Sequence, residues 1–176
     1  MNRFRKTWIA SATLVLVGSL ASVAWAQNTT DPQQFIDGSA RGCQGCDLRE
    51  ANLSGISRVN SRLRQAQLQS ADLSDSNFEG SYFTCANLTN ANLRNTKLRF
   101  ANFVDANLSG VDLRGADLRN VDLGGAIVDE TTNLEGANLD GAKLWDSATL
   151  YRAGVDLQRI PRSPQGEIER VRCNNR

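Results

Sequence analysis

From Cys46 to Asp146 the chain repeats itself every five residues, a period that belongs to neither an α-helix nor a flat strand. Ala71-Asp72-Leu73-Ser74-Asp75, Ala86-Asn87-Leu88-Thr89-Asn90 and Ala116-Asp117-Leu118-Arg119-Asn120 show the unit. A large apolar centre recurs at Leu48, Leu53, Leu63 and Leu68, and continues in step to Leu123 and Val128. After one extra residue it resumes at Leu134, Leu139 and Leu144. Two places before each centre stands a small residue, most often Ala. Self-similarity this regular decides the architecture before any local propensity does.

A centre that points inward every five residues requires the chain to turn a corner within each unit. Four corners close a square, so about twenty residues make one coil, and coils stack at about 4.8 Å. The twenty units centred from position 48 to position 144 therefore predict about five coils and a rod about 24 Å long. Leu48, Leu68, Leu88, Leu108 and Val128 form one inward column, and Leu53, Leu73, Leu93, Leu113 and Leu134 the next. Each buried centre contributes about 1.5–3 kcal/mol gross. Backbone ordering offsets most of it, so only the stack is stable. Two units depart from the pattern. In Ile56-Ser57-Arg58-Val59-Asn60 a local register shift that turns Ser57 and Val59 inward would leave Arg58 outside. The extra residue in Asp129-Glu130-Thr131-Thr132-Asn133 reads as a bulged corner.

The flanks read differently. Arg3, Arg5 and Lys6, the apolar Trp8–Val23 stretch and Ala24-Trp25-Ala26 predict a signal peptide over 1–26, cleaved before Gln27; an uncleaved anchor is the alternative. Cleavage leaves 20 − 3 = 17 basic residues against 19 acidic ones. That balance gives no basic nucleic-acid footprint, and no membrane association is expected after cleavage. Residues 27–45 form an N-terminal cap, in which Asp31-Pro32 predicts a helix start and Gly38 its end. Phe35 and Ile36 on that helix are placed to cover the first coil. Residues 46–146 are the array. Residues 147–176 form an irregular C-terminal cap and tail, with Leu150, Tyr151, Val155, Leu157 and Ile160 able to close the far end.

The run A-(D/N)-L-x-x resembles the pentapeptide-repeat family over about a hundred residues. That resemblance implies an all-β fold, a right-handed quadrilateral parallel β-helix. The leader followed by Cys43-Gln44-Gly45-Cys46-Asp47-Leu48 is similar to secreted members from cyanobacteria and thylakoid lumens. It implies a location beyond the inner membrane, in the periplasm or a thylakoid lumen.

Chemistry is constrained from the outset. The chain contains no histidine, which removes the commonest general base, the usual zinc ligand and every Ser/His or Cys/His pair. Cys43-x-x-Cys46 cannot take a c-type haem, because Asp47 stands where histidine is required. No further ligands are spaced for zinc, so neither metal nor cofactor is expected. In an exported protein Cys43 and Cys46 read as a local disulfide or as two thiols. Cys85 lies at the same corner as Gly45 but two coils on, about 10 Å away, which is too far for a disulfide to Cys46; Cys173 is left unassigned. Asp72, Asp112, Asp117 and Asp122 point outward onto level faces with no insertion to wall a cleft, so no catalytic residues are assigned. Arg94 stacks under Arg114 and Arg99 under Arg119, with Asp112 and Asp117 beside them to neutralise much of the block. Phe100 occupies a turn where its ring should protrude, and Trp145 lies in the column of Val104 and Gly124. Arg94, Arg99, Arg114, Arg119 and Phe100 are the candidate partner surface.

The expected function is a non-enzymatic extracytoplasmic scaffold or protein-binding module with an unidentified protein partner, able to dimerise through a coil end. A cytoplasmic DNA mimic that protects DNA gyrase is an alternative that the family resemblance brings. The arginines interrupt the acidic columns it would need. A polysaccharide-acting β-helix enzyme is a further alternative, and it lacks the loops that would build a cleft. Leu93→Ala should cost about 2–5 kcal/mol in a denaturant titration, and Arg94→Ala under about 1 kcal/mol. Equal losses would contradict the inward assignment of the centres.

Overall fold

In this computed structural model residues 31–143 and Cys173 are described. The expected leader, Trp145 and the apolar residues of the tail lie outside them.

Single-residue parallel bridges link positions twenty apart, and they fall into four columns. One runs Arg62–Tyr82–Asn102–Asp122, and its neighbours run Gln67–Asn87–Asn107–Ile127, Asp72–Asn92–Asp112 and Asn77–Lys97–Asp117. Each face thus contributes one paired residue per coil, too short to be an extended strand, and the chain turns between faces. The columns hold because both backbone groups of the centre region bond to neighbouring coils. Leu93 N donates to Asp112 O at 2.8 Å, and Asn92 N to Ala71 O at 2.9 Å.

The five-residue unit closes through a tight turn. The carbonyl of most centres accepts from the amide three residues on, as Leu68 O does from Ala71 N (3.1 Å) and Leu98 O from Ala101 N (2.9 Å). The residue two after the centre has positive φ, for example 57° at Ser70 and 60° at Phe100, as a type II turn requires. This explains the Asp or Asn that precedes most of the leucine centres. Its side-chain oxygen accepts from the amide two residues later, as Asn52 does from Ser54 (3.1 Å) and Asp72 from Ser74 (3.0 Å). An Asx side chain with that reach mimics a backbone turn and fixes the corner.

The inward positions are dry. The centres from Leu48 to Leu118, apart from position 58, are at most 2% exposed, and Phe83 stacks on Phe103 at 4.8 Å between ring centroids. Where Ser or Thr takes the small slot, its hydroxyl finds a carbonyl: Ser61 bonds Arg58 O, and Thr96 bonds Leu73 O. One apolar void among the described residues, lined by Phe103, Leu108, Leu113, Leu118 and Val128, is about 10 Å³. That is room for about one water and not for a ligand.

Helix α1, Pro32–Asp37, starts from an N-cap at Asp31, whose Oδ1 accepts from Gln33 N at 2.9 Å. It ends at Gly38 with φ 88°. Its Phe35 is fully buried in the core cluster.

The Ile56–Asn60 unit does not shift register. Ser57 bridges Asn77 in step with its column, and Val59 is 44% exposed rather than turned inward. Arg58 keeps the centre position, and its charge is handled from below. Its Nε donates to Phe35 O (3.1 Å) and its Nη2 to Ile36 O (2.9 Å), while the guanidinium lies over the Phe35 ring at 5.9 Å. The last carbonyls of a helix lack intrahelical donors and attract a cation, so Arg58 satisfies α1 while Phe35 supplies the missing apolar body.

At the second departure the pairing interval changes from twenty, at Asn107 with Ile127, to twenty-one, at Asp112 with Asn133. The added residue is absorbed by Asp129, whose Oδ1 accepts from Thr131 N (3.0 Å) and from the Thr131 hydroxyl. Those bonds, the hydroxyl of Thr131 foremost, hold the Asp129 carboxyl at about 2, below its usual value. A depressed folded-state value stabilises the protein above the unfolded value near 4 and ceases to do so as pH falls towards 2. Asp129→Asn should therefore lower the melting temperature at pH 7 and match wild type near pH 2. A gap that stays constant across that range would contradict this reading.

Candidate functional site

The positive-φ corner that shapes every described unit but the one centred on Val128 also decides which side chains stand clear of the walls. Phe100 sits at such a corner, is 55% exposed, and has the Arg99 guanidinium over its ring at 5.3 Å. A left-handed conformation costs a side-chain-bearing residue about 1–2 kcal/mol, and the exposed ring regains little of that by burial. Tyr82, on the next face, is 48% exposed.

The arginines expected at this surface are brought together, and mostly with their charges met. Arg114 holds Asp112 through two bonds, Nε to Oδ1 at 2.8 Å and Nη2 to Oδ2 at 2.5 Å. Arg119 holds Asp117 in the same way. Arg94 lies 3.6 Å from the Asp112 carboxylate. Hydrogen bonding from Arg114 and Arg119 holds the Asp112 and Asp117 carboxyls below their usual range. Each carboxylate thus faces two arginines, while Glu135 also acts on Arg114, and Asp140 and Glu79 on Arg119, so the block carries no surplus of positive charge. Arg99 is the least satisfied of the four arginines, since its Nε is buried without a hydrogen-bond partner among the described residues.

The cysteines form two disulfides. Cys43 and Cys46, both buried, are joined at a Cα separation of 5.3 Å. Cys85, at a positive-φ corner, is joined to Cys173 at 5.7 Å across 88 residues of sequence. This second pair was not assigned from the sequence, although pairing Cys43 with Cys46 leaves only these two in the chain. The sulfurs of Cys85 and Cys173 and the Asp105 carboxylate lie within 4.8 Å of one another. Sulfurs bound to each other offer no thiolate, so the trio is not a metal centre in this state.

A family model for pentapeptide repeats matches residues 61–99 and 86–125 in eight copies. A pentapeptide repeat protein from the thylakoid lumen of Arabidopsis thaliana is 30% identical over 61% of this chain and 74% of its own, with a TM-score of 0.43. The chain belongs to the pentapeptide-repeat family. Another pentapeptide-repeat structure similar to it is HetL, a protein involved in heterocyst differentiation regulation from the cyanobacterium Nostoc. HetL is 28% identical over 69% of this chain, with a TM-score of 0.54. The match spans 55% of HetL, so this chain corresponds to about half of that protein. A plasmid-mediated fluoroquinolone resistance protein is similar at 19% identity with a TM-score of 0.42. No curated protein matches the chain. The family neighbours imply a right-handed β-helix, and pentapeptide-repeat proteins are generally structural or binding proteins. Among the described residues no helix is long and apolar enough to cross a membrane.

Proposed function

We propose that this pentapeptide-repeat protein is a non-enzymatic, extracytoplasmic scaffold of about five coils that binds a protein partner through the corner at Phe100. The observation that carries the reading is Phe100 itself: a large ring, mostly exposed, at a backbone position that disfavours it. A residue retained where it costs stability is best explained by a contact it makes elsewhere. Arg99, whose guanidinium lies over the Phe100 ring and whose Nε has no hydrogen-bond partner among the described residues, gives the same surface one cation for a carboxylate. The partner is therefore a protein segment that offers an apolar side chain beside an acidic one.

Location outside the cytoplasm is supported by the leader at 1–26 and by two disulfides in one chain, since such bonds persist in oxidising compartments. The gyrase-protecting alternative gains nothing from the outward columns, because Arg114 and Arg119 neutralise the carboxylates that would imitate a phosphate backbone. An enzyme gains nothing from the level walls of the described residues.

Phe100→Asn tests the reading. Asn tolerates positive φ, so the variant should keep or raise wild-type stability in a denaturant titration. Capture of the native partner by immobilised protein should fall at least about tenfold, as expected when an aromatic anchor is removed. Undiminished capture by Phe100→Asn and by Arg99→Ala would overturn the proposed surface.

A further inference from the structure

The proposed partner surface leaves one reactive cluster unused, at the corner where Cys85 meets Cys173. We propose that Cys85, Cys173 and Asp105 form a thiol–disulfide exchange site for an exported dithiol, with Asp105 taking up and returning the proton of Cys85. The proposal rests on the geometry of Cys85, Cys173 and Asp105, takes only the compartment of the dithiol from the extracytoplasmic reading, and stands whether or not Phe100 binds a partner.

The two halves of the disulfide differ in access. Cys173 is exposed, whereas Cys85 is half-buried beside Thr84, which is only 8% exposed although it lies on the outer wall. An incoming thiolate therefore reaches the sulfur of Cys173, and Cys85 is the leaving group. Asp105 stands one coil above Cys85 in the same corner, with its carboxylate within 4.8 Å of both sulfurs.

That carboxylate is unusual on these walls. Asp72 accepts from Asn92 at 2.9 Å, and Asp112 and Asp117 accept from their arginines. Asp105 Oδ2 is buried with no hydrogen-bond partner among the described residues, while Oδ1 is held against Gly125. A buried acceptor without a donor is costly. Reduction supplies the donor, because a Cys85 thiol presents its S–H to Oδ2. The carboxylate thereby favours the dithiol over the disulfide.

The step balances as follows. One thiolate of the external dithiol bonds to Cys173 Sγ, the Cys85–Cys173 bond breaks, and its electron pair stays on Cys85 Sγ, which takes a proton through Asp105. The second thiolate of the reductant then displaces Cys173, which is protonated from solvent. The protein gains two electrons and two protons, and the reductant leaves as its disulfide. Cys43 and Cys46, at 0% and 2% exposure, present no sulfur to an external thiolate and serve as the internal comparison.

The full-length protein, equilibrated in graded reduced and oxidised dithiothreitol, can be alkylated and mapped by mass spectrometry, with circular dichroism reporting the fold. Cys85–Cys173 should open while Cys43–Cys46 stays closed and the spectrum is unchanged. Asp105→Asn, nearly the same shape, should shift the Cys85–Cys173 equilibrium about tenfold towards the disulfide, about 30 mV for a two-electron couple. The Cys43–Cys46 equilibrium should not move. Glutathione added to wild type as a trap should be found on Cys173. Opening of both disulfides together, an unmoved midpoint in a folded Asp105→Asn protein, or glutathione on Cys85 would overturn the proposal.

Discussion

Backbone hydrogen bonds between successive coils, which bridge residues twenty apart over most of the array, hold the other described features of this protein in place. Once Leu93 N is bonded to Asp112 O, and Asn92 N to Ala71 O, each side chain lies directly above its counterpart in the previous coil. Inward positions then become columns of leucine and phenylalanine, and outward positions become rows. The arginine rows at Arg94 with Arg114 and at Arg99 with Arg119 follow from that alignment and not from any attraction between like charges.

The same constraint limits what the protein can do. A corner every five residues gives walls one bridge wide, and a wall that narrow has no depth in which to enclose a substrate. What remains are protruding corners and paired charges, which suit contact with another macromolecule. The two disulfides act on different parts of this frame. Cys43–Cys46 closes the start of the first coil next to α1, whereas Cys85–Cys173 fixes a tail residue to a corner in mid-array. A crosslink across 88 residues restricts the unfolded chain far more than one across three.

Much of the stack was legible because inward packing demands the same residue type at every fifth position, and that demand is written directly in the sequence. The extra residue before Asn133 was legible for the same reason, since it breaks the count. Arg58 was not. Its unit lacks an apolar centre, and only the meeting with α1 reveals that Phe35 fills the space and that helix carbonyls receive the guanidinium. The Asp or Asn before most of the leucine centres was visible as a pattern, but its cause, a side-chain bond across the turn, emerged from the geometry. At the candidate surface, the neutralising role of Asp112 and Asp117 could be read from neighbouring positions. The exposed Arg99–Phe100 stack and the isolated Asp105 oxygen depend on side-chain directions that no spacing encodes.

The pairing interval is the central claim, and nuclear Overhauser contacts in isotopically labelled protein measure it directly. The account predicts backbone contacts at an interval of twenty up to the pair of Asn107 with Ile127, and at twenty-one from the pair of Asp112 with Asn133 onward. A single interval throughout, or contacts at helical spacing within the array, would contradict it.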